Sequence, residues 1–119
     1  MKNEVKKITK LVDEVTSLLM RSGSTDIDVH IKRDIDLTTI TIIDHNSAYP
    51  DDEITSLDDV LNIQRQSEVE EFYWELMGDD SNEDELFLVG SMVDRTTVNK
   101  VGEDLHVVMY REVLTKSKK

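Results

Sequence analysis

The stretch Ser81-Asn82-Glu83-Asp84-Glu85-Leu86-Phe87-Leu88-Val89 decides how this chain is read. Leu86, Val89 and Val93 recur at helical spacing, and Asn82 is a side chain able to accept from the backbone amides of a first turn. The acids fall where the positive end of a helix dipole favours them. A helix therefore opens here, after the polar run Asp79 to Glu85, and the segments on either side of it set the order of the fold.

C-terminal to that helix, Thr96 to Val101 and Leu105 to Tyr110 flank Gly102-Glu103-Asp104, which predicts a hairpin. N-terminal to it, Ser67 followed by Glu70 has the spacing of a capping box ahead of Val69, Phe72, Tyr73 and Leu76, with Gly78 as the stop. Ser56 followed by Asp59 predicts a short helix through Leu61, and the stretch Asp44 to Glu53, with the single proline Pro50, predicts a loop. Ile27, Val29 and Ile31 alternate with Asp28, His30 and Lys32, a period of two that predicts a half-buried strand. A turn around Asp34 and Asp36 then leads to the β-branched run Leu37 to Ile43, giving another hairpin. Val5, Ile8, Val12, Val15 and Leu19, widened by Leu11 and Leu18, make an amphipathic first helix that Gly23 ends.

The order is helix, two strands, two short helices, a further helix, two strands. Strands joined by tight turns pair antiparallel, and their apolar faces need helices laid across them. The expected fold is α/β in the α+β sense: a two-layer sandwich of a four-stranded, mainly antiparallel or mixed sheet with helices on one face. At 119 residues the chain fits a single domain over 1–115 with a disordered basic tail at 116–119.

Lys and Arg number 14 against 26 Asp and Glu, a formal net charge of -12, which repels nucleic acid and anionic lipid and leaves a protein as the expected partner. Lys6, Lys7 and Lys10 read as a solvated helix face. The absence of cysteine excludes disulfides and thiolate chemistry. With no signal-peptide stretch and no run of 18 apolar residues, a cytoplasmic location is expected.

This element order, with particular residues at its joints, resembles the histidine-kinase-like (GHKL) ATPase domain shared by sensor kinases, anti-sigma-factor kinases and gyrase. In that family the first helix carries an acid and, four residues later, a Mg²⁺-binding asparagine; here those places hold Asp13 and Ser17. A similar Arg21-Ser22-Gly23-Ser24-Thr25 turn follows. The family's adenine-binding aspartate closes a strand as Asp44 closes Thr41-Ile42-Ile43, yet His45-Asn46-Ser47 brings no glycine. The family's Gly-x-Gly turn, whose bare amides hold phosphates, is replaced by Glu83-Asp84-Glu85. A carboxylate about 4 Å from a phosphate charge costs about 4 kcal/mol at an effective dielectric of about 20. The resemblance therefore implies a degenerate member of a bacterial kind, with Asp13, Ser17 and Asp44 as remnants of a nucleotide site and no bound cofactor.

Other chemistry is weaker. Asp80, Asn82 and Asp84 fit the first positions of a calcium loop, but Glu85 and Ser91 stand where glycine and the bidentate glutamate belong. His30, His45 and His106 lack metal-ligand spacing, so no metal site is expected. Asp44 beside His45 is the one pair with a catalytic flavour. Phe72, Tyr73 and Trp74 crowd one short helix; the packing expectation puts Phe72 and Leu76 inward, with Tyr73 and Trp74 over the core's edge. The alternative reading makes Tyr73 and Trp74, rimmed by Arg65, Glu70, Glu71 and Glu75, a partner-binding patch. The chain reads as a regulatory or adaptor module rather than an enzyme, with two competing readings. One is an atypical ATP-binding kinase of the anti-sigma type using Asp13, Asp44 and Mg²⁺ near Ser17; the other is a small-molecule or cation sensor beside Glu83 and Glu85.

Overall fold

Two hairpins meet in the middle of one sheet. A computed structural model describes residues 3–76 and 83–113, leaving aside the side chains of Tyr73, Leu76 and residues 83–85. Strands β1 (Ile27–Arg33) and β2 (Leu37–Asp44) form the first hairpin, and β3 (Arg95–Val101) and β4 (Asp104–Glu112) the second. All pairings are antiparallel in the order β1-β2-β4-β3, so the two most apolar strands sit at the centre.

Strict alternation fills one face of that centre. Ile40 and Ile42 of β2 stand opposite Met109 and Val107 of β4, and all four are inaccessible to solvent. The same alternation carries two charged residues inward at opposite ends of the face, Asp44 opposite Leu105 and Arg111 opposite Thr38. Each gathers polar partners at its own end of the sheet.

Helix α1 (Glu4–Arg21) lays Ile8, Leu11, Val15 and Leu19 on this core; burying one such side chain contributes about 1.5–3 kcal/mol. Gly23 ends it as expected, with φ +111° and the amide of Ser24 returning to the Leu19 carbonyl at 3.0 Å. Three further helices complete the layer: α2 (Ile54–Leu61), which follows a 3₁₀ turn at Asp51–Glu53, α3 (Ser67–Tyr73), which runs into a 3₁₀ turn at Trp74–Leu76, and α4 (Glu83–Ser91). The result is the expected α+β two-layer sandwich, with helices packed on a four-stranded antiparallel sheet. Among the described residues no helix is long and apolar enough to cross a membrane.

The helix starts differ from expectation. Ser56 lies inside α2 and caps nothing, because the preceding 3₁₀ turn already winds the chain into Ile54. The capping box does not form at α3: Gln66 is the N-cap, no side chain caps it, and the Glu70 carboxylate is engaged elsewhere. The expected Asn82 cap, the Gly78 stop, the Asp80 calcium-loop reading and the tail at 116–119 lie outside the described residues.

The two sheet edges are treated unequally. At β3 the Asn62 side chain, at the end of α2, accepts from the Thr96 amide at 2.9 Å and donates to its carbonyl at 2.8 Å, and the Thr96 hydroxyl donates to the Leu61 carbonyl. Lys100 of the same strand pairs with Asp51 at 2.8 Å. From Asp28 to Arg33, β1 is exposed throughout, which corrects the expected half-burial of Val29 and Ile31: as an edge strand it has, among the described residues, a neighbour on one side only.

Candidate functional site

Asp44 ends β2 on the helix-covered face, fully buried. Its Oδ2 accepts from the Ser24 hydroxyl at 2.7 Å and from the Ser47 hydroxyl at 2.6 Å. Its Oδ1 is buried with no hydrogen-bond partner among the described residues, an uncommon state for a carboxylate oxygen. The turn that follows needs no glycine: Asn46 takes φ 55°, a left-handed conformation that asparagine tolerates, and its amide donates to Asp104 Oδ1 at 2.9 Å.

The Asp44–His45 pair does not form. Successive residues at the strand end point apart, so His45 reaches Asp28 through Nε2 at 2.7 Å and Asp104 through Nδ1 at 3.3 Å. The Asp28 hydrogen bond, with Asp104 adding to it, raises the His45 pKa above its ordinary 6.5. This imidazole ties β1 to the start of β4. Asp13 and Ser17 lie one turn apart on α1, where the Ser17 hydroxyl donates to Asp13 Oδ1 at 3.2 Å and Asp13 is exposed.

Beyond Asp44 the chain closes over itself. Tyr49 and Leu57 are buried in the core, and α2 lies so close to α4 that a Cβ on Gly90 would meet the Val60 carbonyl at 2.2 Å. Between these helices remains a cavity of about 460 Å³ lined by Tyr49, Glu53, Ser56, Leu57, Val60 and Leu86. Its lining carries one carboxylate and no basic side chain among the described residues. It is suited to an apolar or weakly cationic guest and not to phosphate.

The strongest electrostatics lie at the other end of the sheet. Arg111, wholly buried, donates to both oxygens of Glu4 at 2.8 and 3.0 Å, to both oxygens of Glu70 at 3.1 and 2.8 Å, and to the Met92 carbonyl at 2.6 Å. Lys7, also buried, reaches Glu70 at 2.9 Å and Glu71 at 2.8 Å. Arg65 adds contacts to Glu70 at 3.3 Å and Asp94 at 2.9 Å. Three cations thus meet four carboxylates, a balance that makes burial tolerable. Burial works to raise the Glu70 carboxyl, but the Arg111 and Lys7 donors outweigh it and hold its pKa at about 2. The Arg111 hydrogen bond holds Glu4 below its ordinary value as well.

This cluster corrects the sequence-derived patch. Glu70, 2 % exposed, is an anchor rather than a surface contact, and Lys7 is not part of a solvated face. Trp74 is also interior, at 6 %, while Phe72 is 78 % exposed. Positions 70 and 74 share a helix face, so when Arg111 draws Glu70 inward Trp74 follows, and Phe72 turns outward. Glu71 and Glu75 are exposed as expected; Lys10 donates to the Glu75 carbonyl at 3.3 Å. The Tyr73 side chain lies outside the described part. The presented surface is therefore Phe72 with Glu68, Glu71 and Glu75. Only the alternation of β4 hinted at the cluster, by carrying an arginine on its inward register.

Searches against known families and curated proteins return no match for this chain. Its fold and side-chain clusters define an acidic α+β two-layer protein with a buried charge cluster, a sealed carboxylate at one strand end and the exposed Phe72 ring on α3.

Proposed function

We propose that the chain is a non-catalytic regulatory or adaptor module, built on a degenerate histidine-kinase-like ATPase fold and acting through protein contacts on α3. The observation that carries this reading is the contrast between Phe72 and Glu70. An aromatic ring held in water beside a residue clamped by Arg111 is a preorganised anchor, which lowers the entropy cost of binding. The ring of acids, Glu68, Glu71 and Glu75, selects a basic partner surface. The succession of helix, hairpin, three helices and hairpin supports the family resemblance. Against catalysis weigh the two serine hydroxyls on Asp44, the close seating of α2 on α4 and an acidic cavity lining, each unfavourable to a triphosphate.

Capture from native extract with the wild-type protein and with Phe72→Ala tests this. A partner recovered by the first and lost with the second supports the adaptor reading, and identical recoveries discard the patch. A melting shift with Mg²⁺-ATP, abolished by Asp44→Asn, would replace it with the kinase reading, since ligand at about 100 times its Kd stabilises by about 2.7 kcal/mol. The cavity beside Glu53 favours a second reading, a sensor of small amines. It predicts a melting shift with alkylamines that Glu53→Gln removes.

A further inference from the structure

Among the described residues nothing pairs with the edge of the sheet at β1. The backbone bonds that bracket the strand, from the His45 amide to the Asp26 carbonyl and from the Asp34 amide to the Leu37 carbonyl, fix its phase. Even-numbered residues face β2, so the amides and carbonyls of Ile27, Val29, Ile31 and Arg33 point outward, where no described residue bonds to them. Val29 and Ile31 lie on the helix side of the sheet, opposite buried Ile42 and Ile40, yet remain 41 % and 40 % exposed. Soluble proteins usually block such an edge, as Asn62 and the Lys100–Asp51 pair block β3 here.

We propose that β1 is a homodimerisation edge that pairs antiparallel with β1 of a second copy, about a two-fold axis through His30. The strand's own sequence supports that occupant. Centred on His30, Val29 meets Ile31 of the second copy and Ile27 meets Arg33, all outward-pointing positions able to exchange hydrogen bonds over the full length of the strand. On the opposite face Asp28 meets Lys32 of the second copy, twice by symmetry, in the closely spaced non-hydrogen-bonded register where cross-strand charges interact best. Both side chains are well exposed, at 71 % and 65 %, and Asp28 holds His45 through Oδ2 alone. Sliding the pairing to centre on Ile31 would set Asp28 against Asp34 and His30 against Lys32, so charge disfavours that register. The product is an isologous dimer with one continuous eight-stranded sheet, its four half-exposed apolar side chains packed against each other.

The chain has no cysteine, so His30→Cys introduces a single thiol on the axis. The Cα spacing of a non-hydrogen-bonded pair, about 4.5 Å, lies inside the disulfide range. Mild oxidation is expected to give a covalent dimer of His30→Cys, while Asn99→Cys on β3 stays monomeric. Light scattering on the wild-type protein should return about twice the 13.7 kDa chain mass. Asp28→Lys and Lys32→Asp should each weaken the dimer at least tenfold, and the double exchange should restore it. A monomeric wild-type mass together with a His30→Cys variant that forms no disulfide overturns the proposal, as does a dimer indifferent to the single exchanges. Dimerisation that appears only after residues 114–119 are removed would assign the edge to the chain's own tail and overturn it equally.

Discussion

Arg111 and Glu70, 41 residues apart in sequence, form a two-pronged ion pair at 3.1 and 2.8 Å with the guanidinium wholly inaccessible to solvent. It fastens α3 to the central strand β4, and Glu4 on the other side of the same guanidinium fastens α1. Removing one member of such a pair leaves the others charged and desolvated. Arg111→Met is expected to cost about 3–5 kcal/mol, read as a lower urea midpoint with an unchanged slope.

Acid should unfasten the same cluster. The folded-state pKa of Glu70 is depressed to about 2 from an ordinary 4.5, and Glu4 is depressed too. Their contribution is therefore fully present above pH 4.5 and is lost as pH falls toward 2. For Glu70 alone that is about 3 kcal/mol at about 1.4 kcal/mol per unit. Urea midpoints measured across this window should drop steeply for the wild type and more gently for Glu70→Gln.

The two aromatics of α3 separate packing from recognition. Trp74→Ala empties a core position and should cost about 3–5 kcal/mol. Phe72→Ala, at an exposed position, should stay within about 0.5 kcal/mol of wild type. Thermal melts check both, and equal losses would refute the assigned orientation of the helix.

Gly90→Ala asks whether α2 rests on α4 as closely as described. The added Cβ meets the Val60 carbonyl at 2.2 Å and Ile63 Cγ1 at 2.9 Å, and forcing the helices apart should cost about 1–3 kcal/mol. Gly102→Ala is the control: nothing lies within 4 Å, and the cost of its φ of +62° is about 1 kcal/mol. The denaturant midpoint is the readout for each.

Both hairpins and α1 were legible because their signals are local. A period of two over Ile27 to Ile31 marks a strand, and apolar residues three and four apart from Ile8 to Leu19 mark a helix and its buried face, without reference to any other element. How deeply a strand is buried is not local: Val29 and Ile31 alternate as a half-buried strand should, yet stay 41 % and 40 % exposed. At α3 that logic ran out. Its seven residues continue into a 3₁₀ turn, too short for periodicity to choose a face. Glu70 satisfied a capping-box pattern while its real partner lay on β4. Asn46, read only as a missing glycine, supplies the left-handed turn itself. The sealing of Asp44 by Ser24 and Ser47 was equally hidden, since the two serines reach it from opposite sides in sequence.

By itself the sequence determined the antiparallel hairpins, the amphipathic first helix and the acidic surface, because alternation and charge act between neighbours along the chain. The tertiary structure alone decided which charges are shared beneath the surface, that Phe72 and not Trp74 meets water, and that, among the described residues, one sheet edge is covered and the other is not. Those outcomes depend on groups that fold from distant positions into a medium of low dielectric, where each ion settles only with a partner that the folded chain brings to it.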